Sequence, residues 1–155
     1  MRQKQFHRFS RFCSFFICCA LSYRHAILLV TMPIWWVEMR KILIATGSEI
    51  INECFAQRLR NEYNVQLCLE SDLIISTLER THPEVLIINL RLPHITGLDI
   101  LRQSAYKPQT VIALTPILSS TIVDEAQAAG VGALIRLPCS IDCVISHLNN
   151  LLPLP

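Results

Sequence analysis

The sequence is poor in glycine, in proline and in charge, and each shortage excludes a class of protein. Its 155 residues include 4 glycines and 8 prolines, too few for a collagen-like chain or a low-complexity linker. Charged residues make up 17% and hydrophobic residues 52%, whereas a disordered chain is rich in charge and poor in apolar side chains. The composition therefore predicts one folded domain with a sizeable core, and leaves room for a tail.

The seven cysteines lack the spacing of a disulfide scaffold or a zinc site. Their number is odd, no two form a Cys-x-x-Cys pair, and four of them (Cys54, Cys68, Cys139 and Cys143) lie beyond residue 38. We predict free, mostly buried thiols in a reducing cytosol. Cys139 and Cys143 are four residues apart, but two thiols fall short of four zinc ligands, so we expect both to pack on the last helix.

Positive charge is concentrated at the N-terminus. Residues 1–38 contain five Lys or Arg and one Glu, a net charge of +4, whereas residues 39–155 contain nine Lys or Arg and eleven Asp or Glu, a net charge of −2. An acidic domain lacks the basic surface that nucleic-acid binding requires. We therefore expect a protein partner and no nucleic-acid partner.

The first 38 residues leave two interpretations open. Residues 12–37 are mostly apolar and long enough to span a bilayer, although Arg24 near their middle would cost about 2.5–3.5 kcal/mol on insertion. No small-residue cleavage site of a signal peptide is evident. Met39 directly precedes a strand-like run, so residues 1–38 are either an upstream extension of the reading frame or a membrane segment. We expect a cytoplasmic domain, with membrane association through residues 12–37 as the alternative.

Residues 39–155 alternate between strand-like and helix-like segments. Short apolar runs typical of buried strands occur at residues 41–46, 85–89, 110–114 and 133–136, and residues 64–70 alternate like an edge strand. Helical spacing of apolar residues occurs at residues 49–62, 72–80, 97–101, 121–129 and 140–151. Such alternation implies right-handed crossovers and a parallel sheet. Five units predict a doubly wound α/β fold of the flavodoxin type, a (βα)5 sheet in the order 2-1-3-4-5.

Burial patterns follow from the same spacing. On residues 49–62 the apolar face should bury Ile50, Ile51, Cys54, Phe55 and Leu59. Residues 85–89 are the most apolar strand, which should therefore lie at the centre of the sheet.

Residues 85–101 (VLIINLRLPHITGLDIL) resemble the receiver domains of two-component response regulators. In that family the third strand is followed by Asp-x-x-x-Pro-x-x-x-Gly-x-x-x-Leu. Residues 111–115 and 126–133 are similar as well, and Pro138 lies where the family has a proline after its lysine. The resemblance covers residues 40–152, is closest to the sporulation-type receivers, and implies a CheY-like fold.

The family chemistry depends on residues that this chain has replaced. The resemblance implies a phosphoacceptor aspartate, two acidic residues that hold Mg²⁺ with it, and a hydroxyl and a lysine that offset charge on the phosphoryl oxygens. The hydroxyl is retained as Thr115, whereas Leu134 stands at the aromatic switch position. The other positions are changed: Asn89 stands for the phosphoacceptor, Thr46 and Gly47 for the acidic pair, and Leu137 for the lysine.

These replacements predict no catalysis, no cofactor and no working Mg²⁺ site. Ser48, Glu49 and Asp99 are near in sequence, but they include only one plausible carboxylate where the site needs three. His94, in the loop after the third strand, is expected to be solvated. No Ser-His-Asp, Walker or GxGxxG pattern occurs.

The hypothesis is therefore a stand-alone, degenerate receiver (pseudo-receiver) in phosphorelay signal transduction. We expect it to be independent of phosphorylation and to act by protein–protein contact, because the sequence after the fifth helix is too short for a DNA-binding domain. The resemblance implies a protein partner or a homodimer across helix 4, strand 5 and helix 5. Apolar residues 116–118, with Ile122 and Val123, either form a contact surface there or fold inward. The alternative is a membrane-tethered signalling adaptor anchored by residues 12–37.

Overall fold

A computed structural model describes residues 39–152, which form a five-stranded parallel sheet with helices on both faces. The strands are β1 (Lys41–Ala45), β2 (Asn64–Leu67), β3 (Val85–Asn89), β4 (Thr110–Thr115) and β5 (Ala133–Arg136). The helices are α1 (Glu49–Leu59), α2 (Ile74–Thr81, after a single 3-10 turn at Ser71–Leu73), α3 (Gly97–Gln103), α4 (Ser120–Ala128) and α5 (Ile141–Leu151). The strand order β2-β1-β3-β4-β5 confirms the predicted doubly wound fold.

The central strand β3 separates two apolar layers. Ile87 packs on one face with Phe55 and Leu59 of α1 and Val144 and Leu148 of α5. Ile88 packs on the opposite face with side chains of α2, α3 and α4. Both isoleucines are fully buried, as expected for a strand that helices cover on both sides.

The buried face of α1 differs from the predicted one. Asn52, Phe55, Ala56 and Leu59 are buried, at the spacing of one helix face. Ile50 is 78% exposed and Cys54 is exposed as well. The face is rotated towards Asn52 because that side chain makes its hydrogen bonds inside the domain.

Two helices also have ends that differ from the predicted ones. Helix α1 ends at Leu59, three residues before the predicted end, and Cys139 precedes α5 instead of lying on it. Ser140 caps α5 by accepting a hydrogen bond from the Cys143 backbone N–H (3.3 Å). Gly130 follows α4 with φ of +82°, which is the left-handed conformation that glycine adopts at low cost after a helix.

The predicted membrane segment, residues 12–37, lies outside the described residues. Within residues 39–152 no helix combines the length and the hydropathy that a transmembrane span requires.

Candidate functional site

The predicted site positions lie together at the carboxyl ends of the central strands. Thr46 and Gly47 follow β1, Asn89 ends β3, and Thr115 ends β4. Leu137 follows β5, and its backbone N–H donates to the Thr115 carbonyl oxygen (2.7 Å). In open parallel sheets ligands bind at this edge, where the strand order reverses, and here the reversal lies between β1 and β3.

Asn89 uses both halves of its amide to connect neighbouring segments. Its Nδ2 donates to the Thr46 carbonyl oxygen (3.3 Å), and its Oδ1 accepts from the Arg91 backbone N–H (3.0 Å). An aspartate can accept the second bond but has no hydrogen to donate in the first when ionised. The Asn89 side chain thus holds the end of β3 to the end of β1.

Asn52 completes this arrangement from α1. The backbone N–H and the hydroxyl of Thr46 lie 3.0 Å and 2.6 Å from Asn52 Oδ1, to which both donate. Asn52 Nδ2 donates to the Cys68 carbonyl oxygen, beyond β2 (3.3 Å). Asn52 and Thr46 are both buried, so these bonds satisfy polar groups that water does not reach.

Asn52 was not among the predicted site residues. The available signal was its position three, four and seven residues before Phe55, Ala56 and Leu59, which places a polar side chain on an apolar helix face.

Gly47 occupies a position that resists a side chain. Its φ of +73° is in the region that residues with a Cβ rarely adopt. A Cβ at Gly47 would lie 2.9 Å from Leu92 Cδ2 and 3.6 Å from Pro93 Cδ. An acidic residue at this position would therefore require backbone strain and a shift of Leu92.

The hydroxyl of Thr115 is engaged within its own loop. It donates to the Ile117 carbonyl oxygen (2.9 Å) and accepts from the Ile117 backbone N–H (3.3 Å). Leu137 is half-buried and packs against the α1–α5 layer, while Leu134 packs against the opposite layer. The end of β5 thus contributes an apolar side chain where the resemblance places a lysine.

The donor atoms at this edge do not fit a magnesium ion. They are an amide, two buried threonine hydroxyls and backbone groups, whereas Mg²⁺ is usually held through carboxylates. Asp99 instead accepts from the Thr96 hydroxyl (2.7 Å) and pairs with Arg102 (3.4 Å). Across residues 39–152 no group of three or more His, Cys, Asp or Glu side chains is arranged to hold a metal.

The remaining predicted residues lie apart from this edge or point to solvent. His94 is exposed in the loop after β3. Of the four cysteines within residues 39–152, only Cys68 is buried, so the prediction of mostly buried thiols is wrong for these four. Burial raises the pKa of the Cys68 thiol. The pKa of the Cys139 thiol is raised mainly by burial and to a smaller extent by the neighbouring Cys143. A raised pKa keeps a thiol in its less reactive protonated form at neutral pH.

Comparison with known proteins identifies the fold. No family model and no curated protein matches the sequence. Among solved structures, the chemotaxis response regulator CheY4 of Vibrio cholerae is 22% identical, with a TM-score of 0.67 over 74% of this chain and 99% of that one. A CheY-like receiver domain protein from Methanospirillum hungatei is 19% identical, with a TM-score of 0.66 over 72% and 92%. The BeF3-activated receiver domain of DrrB is 18% identical, with a TM-score of 0.64 over 73% and 97%. The chain therefore has the fold of the CheY-like response regulator receiver domains.

Proposed function

We propose that residues 39–155 act as a receiver-like domain in two-component, phosphorelay signal transduction. The domain works by protein–protein contact without being phosphorylated, binds no cofactor and catalyses no reaction. The receiver fold supports the signalling role, and the neutral, hydrogen-bonded edge of the sheet supports the independence from phosphorylation. The net charge of −2 over residues 39–155 supports a protein partner over nucleic acid. We place the domain in the cytoplasm.

The observation that carries this proposal is the bonding of Asn89. An amide is a far weaker nucleophile than a carboxylate, and both of its polar atoms are already bonded to neighbouring backbone. Phosphoryl transfer also relies on cations to offset the charge of the transferred group. Leu137 provides no ammonium group, and Thr46 and Gly47 provide no carboxylates for Mg²⁺.

The face formed by α4, β5 and α5 is the proposed contact surface for a protein partner or a second copy. The alternative that the loop after β4 folds inward is wrong, because Ile117 is 56% and Leu118 is 46% exposed. Adjacent exposed apolar side chains of this kind often mark interfaces. These two side chains extend the proposed surface into the loop that precedes α4.

Acetyl phosphate with Mg²⁺ is expected to leave the protein unmodified. The reason is that Asn89 is not a phosphoryl acceptor and that no carboxylate pair beside it recruits the metal. Intact-mass spectrometry measures this outcome, with a receiver domain that retains the aspartate as the positive control. A mass gain of one phosphoryl group that disappears in Asn89→Ala would contradict the proposal.

A further inference from the structure

A groove with an apolar floor lies between α3 and α4. Its volume of about 400 Å³ falls in the range of ligand sites in proteins. Its apolar lining comprises Leu90, Leu92, Leu98, Pro116, Ile117 and Ile122. We call it the α3–α4 groove.

The exposed apolar edge of the groove is fixed by hydrogen bonds. Ile117 lines the groove and is 56% exposed, and the next residue, Leu118, is 46% exposed. The Thr115 hydroxyl bonds both the N–H and the carbonyl oxygen of Ile117, so the loop is held with these side chains outward. A preformed surface binds without the entropy cost of ordering it.

The two arginines of the groove differ in their electrostatic environment. Arg102 is shared between Asp99 and Glu125, each at 3.4 Å, and this network connects α3 with α4. The Arg91 guanidinium is exposed and makes no ion pair or hydrogen bond within residues 39–152. The charges of the groove lining sum to zero, because Asp99 and Glu125 balance the two arginines, and Arg91 is the one of the four that has no partner within residues 39–152.

We propose that the α3–α4 groove binds a short peptide segment of a partner protein in which apolar side chains flank one acidic residue. The apolar side chains lie against the floor beside Ile117, and the carboxylate pairs with Arg91, whose planar guanidinium suits two parallel hydrogen bonds. This inference rests on the proposed function, because it names the partner chemistry for a domain that acts by contact. A single unpaired arginine disfavours an anionic lipid surface, which attracts clusters of basic residues.

Three fluorescein-labelled pentapeptides test this proposal. Each has the same leucine and phenylalanine residues around a central glutamate, glutamine or lysine, and fluorescence anisotropy reports their binding to the full-length chain. We expect the glutamate peptide to bind about two- to fivefold more tightly than the glutamine peptide, as for an exposed ion pair, and the lysine peptide to bind most weakly. Arg91→Gln should remove this preference, and Ile117→Ser should weaken the binding of all three peptides.

Matched controls come from α1, outside the groove. Arg58 is an exposed arginine, and Ile50 is more exposed than Ile117. Arg58→Gln and Ile50→Ser should bind all three peptides as the wild type does. Equal binding of the three peptides by the wild type, or an equal effect of the control variants, would overturn the proposal.

Two further outcomes would assign the groove to another occupant and overturn the peptide proposal. One is light scattering that shows a wild-type dimer and an Ile117→Ser monomer, since a second copy would then cover the groove. The other is binding to phosphatidylglycerol vesicles that requires Ile117 while the peptides do not bind. These outcomes concern the groove alone, because the acetyl phosphate experiment tests the proposed independence from phosphorylation separately.

Discussion

Replacing Asn52 with alanine is expected to lower the free energy of unfolding by about 2–6 kcal/mol, because two buried backbone groups lose their partners at about 1–3 kcal/mol each. These groups are the Thr46 N–H and the Cys68 carbonyl. The Thr46 hydroxyl keeps an acceptor in the variant, since the Ser48 carbonyl oxygen lies 3.2 Å away and can take the hydrogen that Asn52 Oδ1 accepts in the wild type. Urea denaturation of the wild type and the variant measures the difference.

Asn61→Ala is the matched control for this prediction. Asn61 is exposed just beyond the end of α1, and surface substitutions usually change stability by less than about 0.5 kcal/mol. If Asn52→Ala were as stable as Asn61→Ala, the buried amide would not hold the ends of β1 and β2 to α1. Asn52→Asp should be at least as damaging as Asn52→Ala, since it buries a charge and places an oxygen against the Cys68 carbonyl.

Replacing Ile87 with alanine is expected to lower the free energy of unfolding by about 2–5 kcal/mol, through lost burial and the cavity left behind. Ile87 lies in the central strand and is fully buried where it packs against α1 and α5. The matched control is Ile50→Ala on α1, which removes the same atoms from a side chain that is 78% exposed. A denaturation midpoint of Ile87→Ala within error of that of Ile50→Ala would contradict the packing described for β3.

The strands and their order were predictable because their pattern is local. A strand buried on both faces is a short, continuous apolar run, and β3 is bounded in the structure as in the sequence prediction, at Val85–Asn89. Helices between such runs leave few possible topologies. The edge position of β2 followed from its alternation of polar and apolar residues.

The buried face of α1 was not predictable from periodicity alone. Ile50 and Cys54 offered an apolar stripe, but the packed face is set by hydrogen bonds from Asn52 to Thr46 and to the carbonyl of Cys68. These partners lie six and sixteen residues away. A single sequence does not show which polar side chain finds buried partners at such separations.

The resemblance predicted which residues form the candidate site, whereas their hydrogen bonds could be seen only in the structure. Asn89 and Thr46 are 43 residues apart and meet because β1 and β3 are neighbours. The approach of Leu92 to Gly47, which makes that position unsuitable for a carboxylate, involves a side chain that no motif singled out.

Thermal melts of Asn89→Asp with and without Mg²⁺ test most directly whether any metal site persists at this edge of the sheet. The substitution supplies one carboxylate but removes the donor to the Thr46 carbonyl oxygen. We expect a loss on the order of 1 kcal/mol, because a charge is introduced without a cation. Mg²⁺ at about 10 mM should not restore it, since a ligand stabilises only a fold that binds it.

Wild type and Asn61→Asp, which places the same charge on an exposed residue, serve as controls for general effects of Mg²⁺ on the melts. We predict that Mg²⁺ changes the Tm of Asn89→Asp no more than it changes the Tm of these two proteins. A gain of several degrees confined to Asn89→Asp would show that a magnesium site is present, and it would contradict our proposal that this domain acts without being phosphorylated.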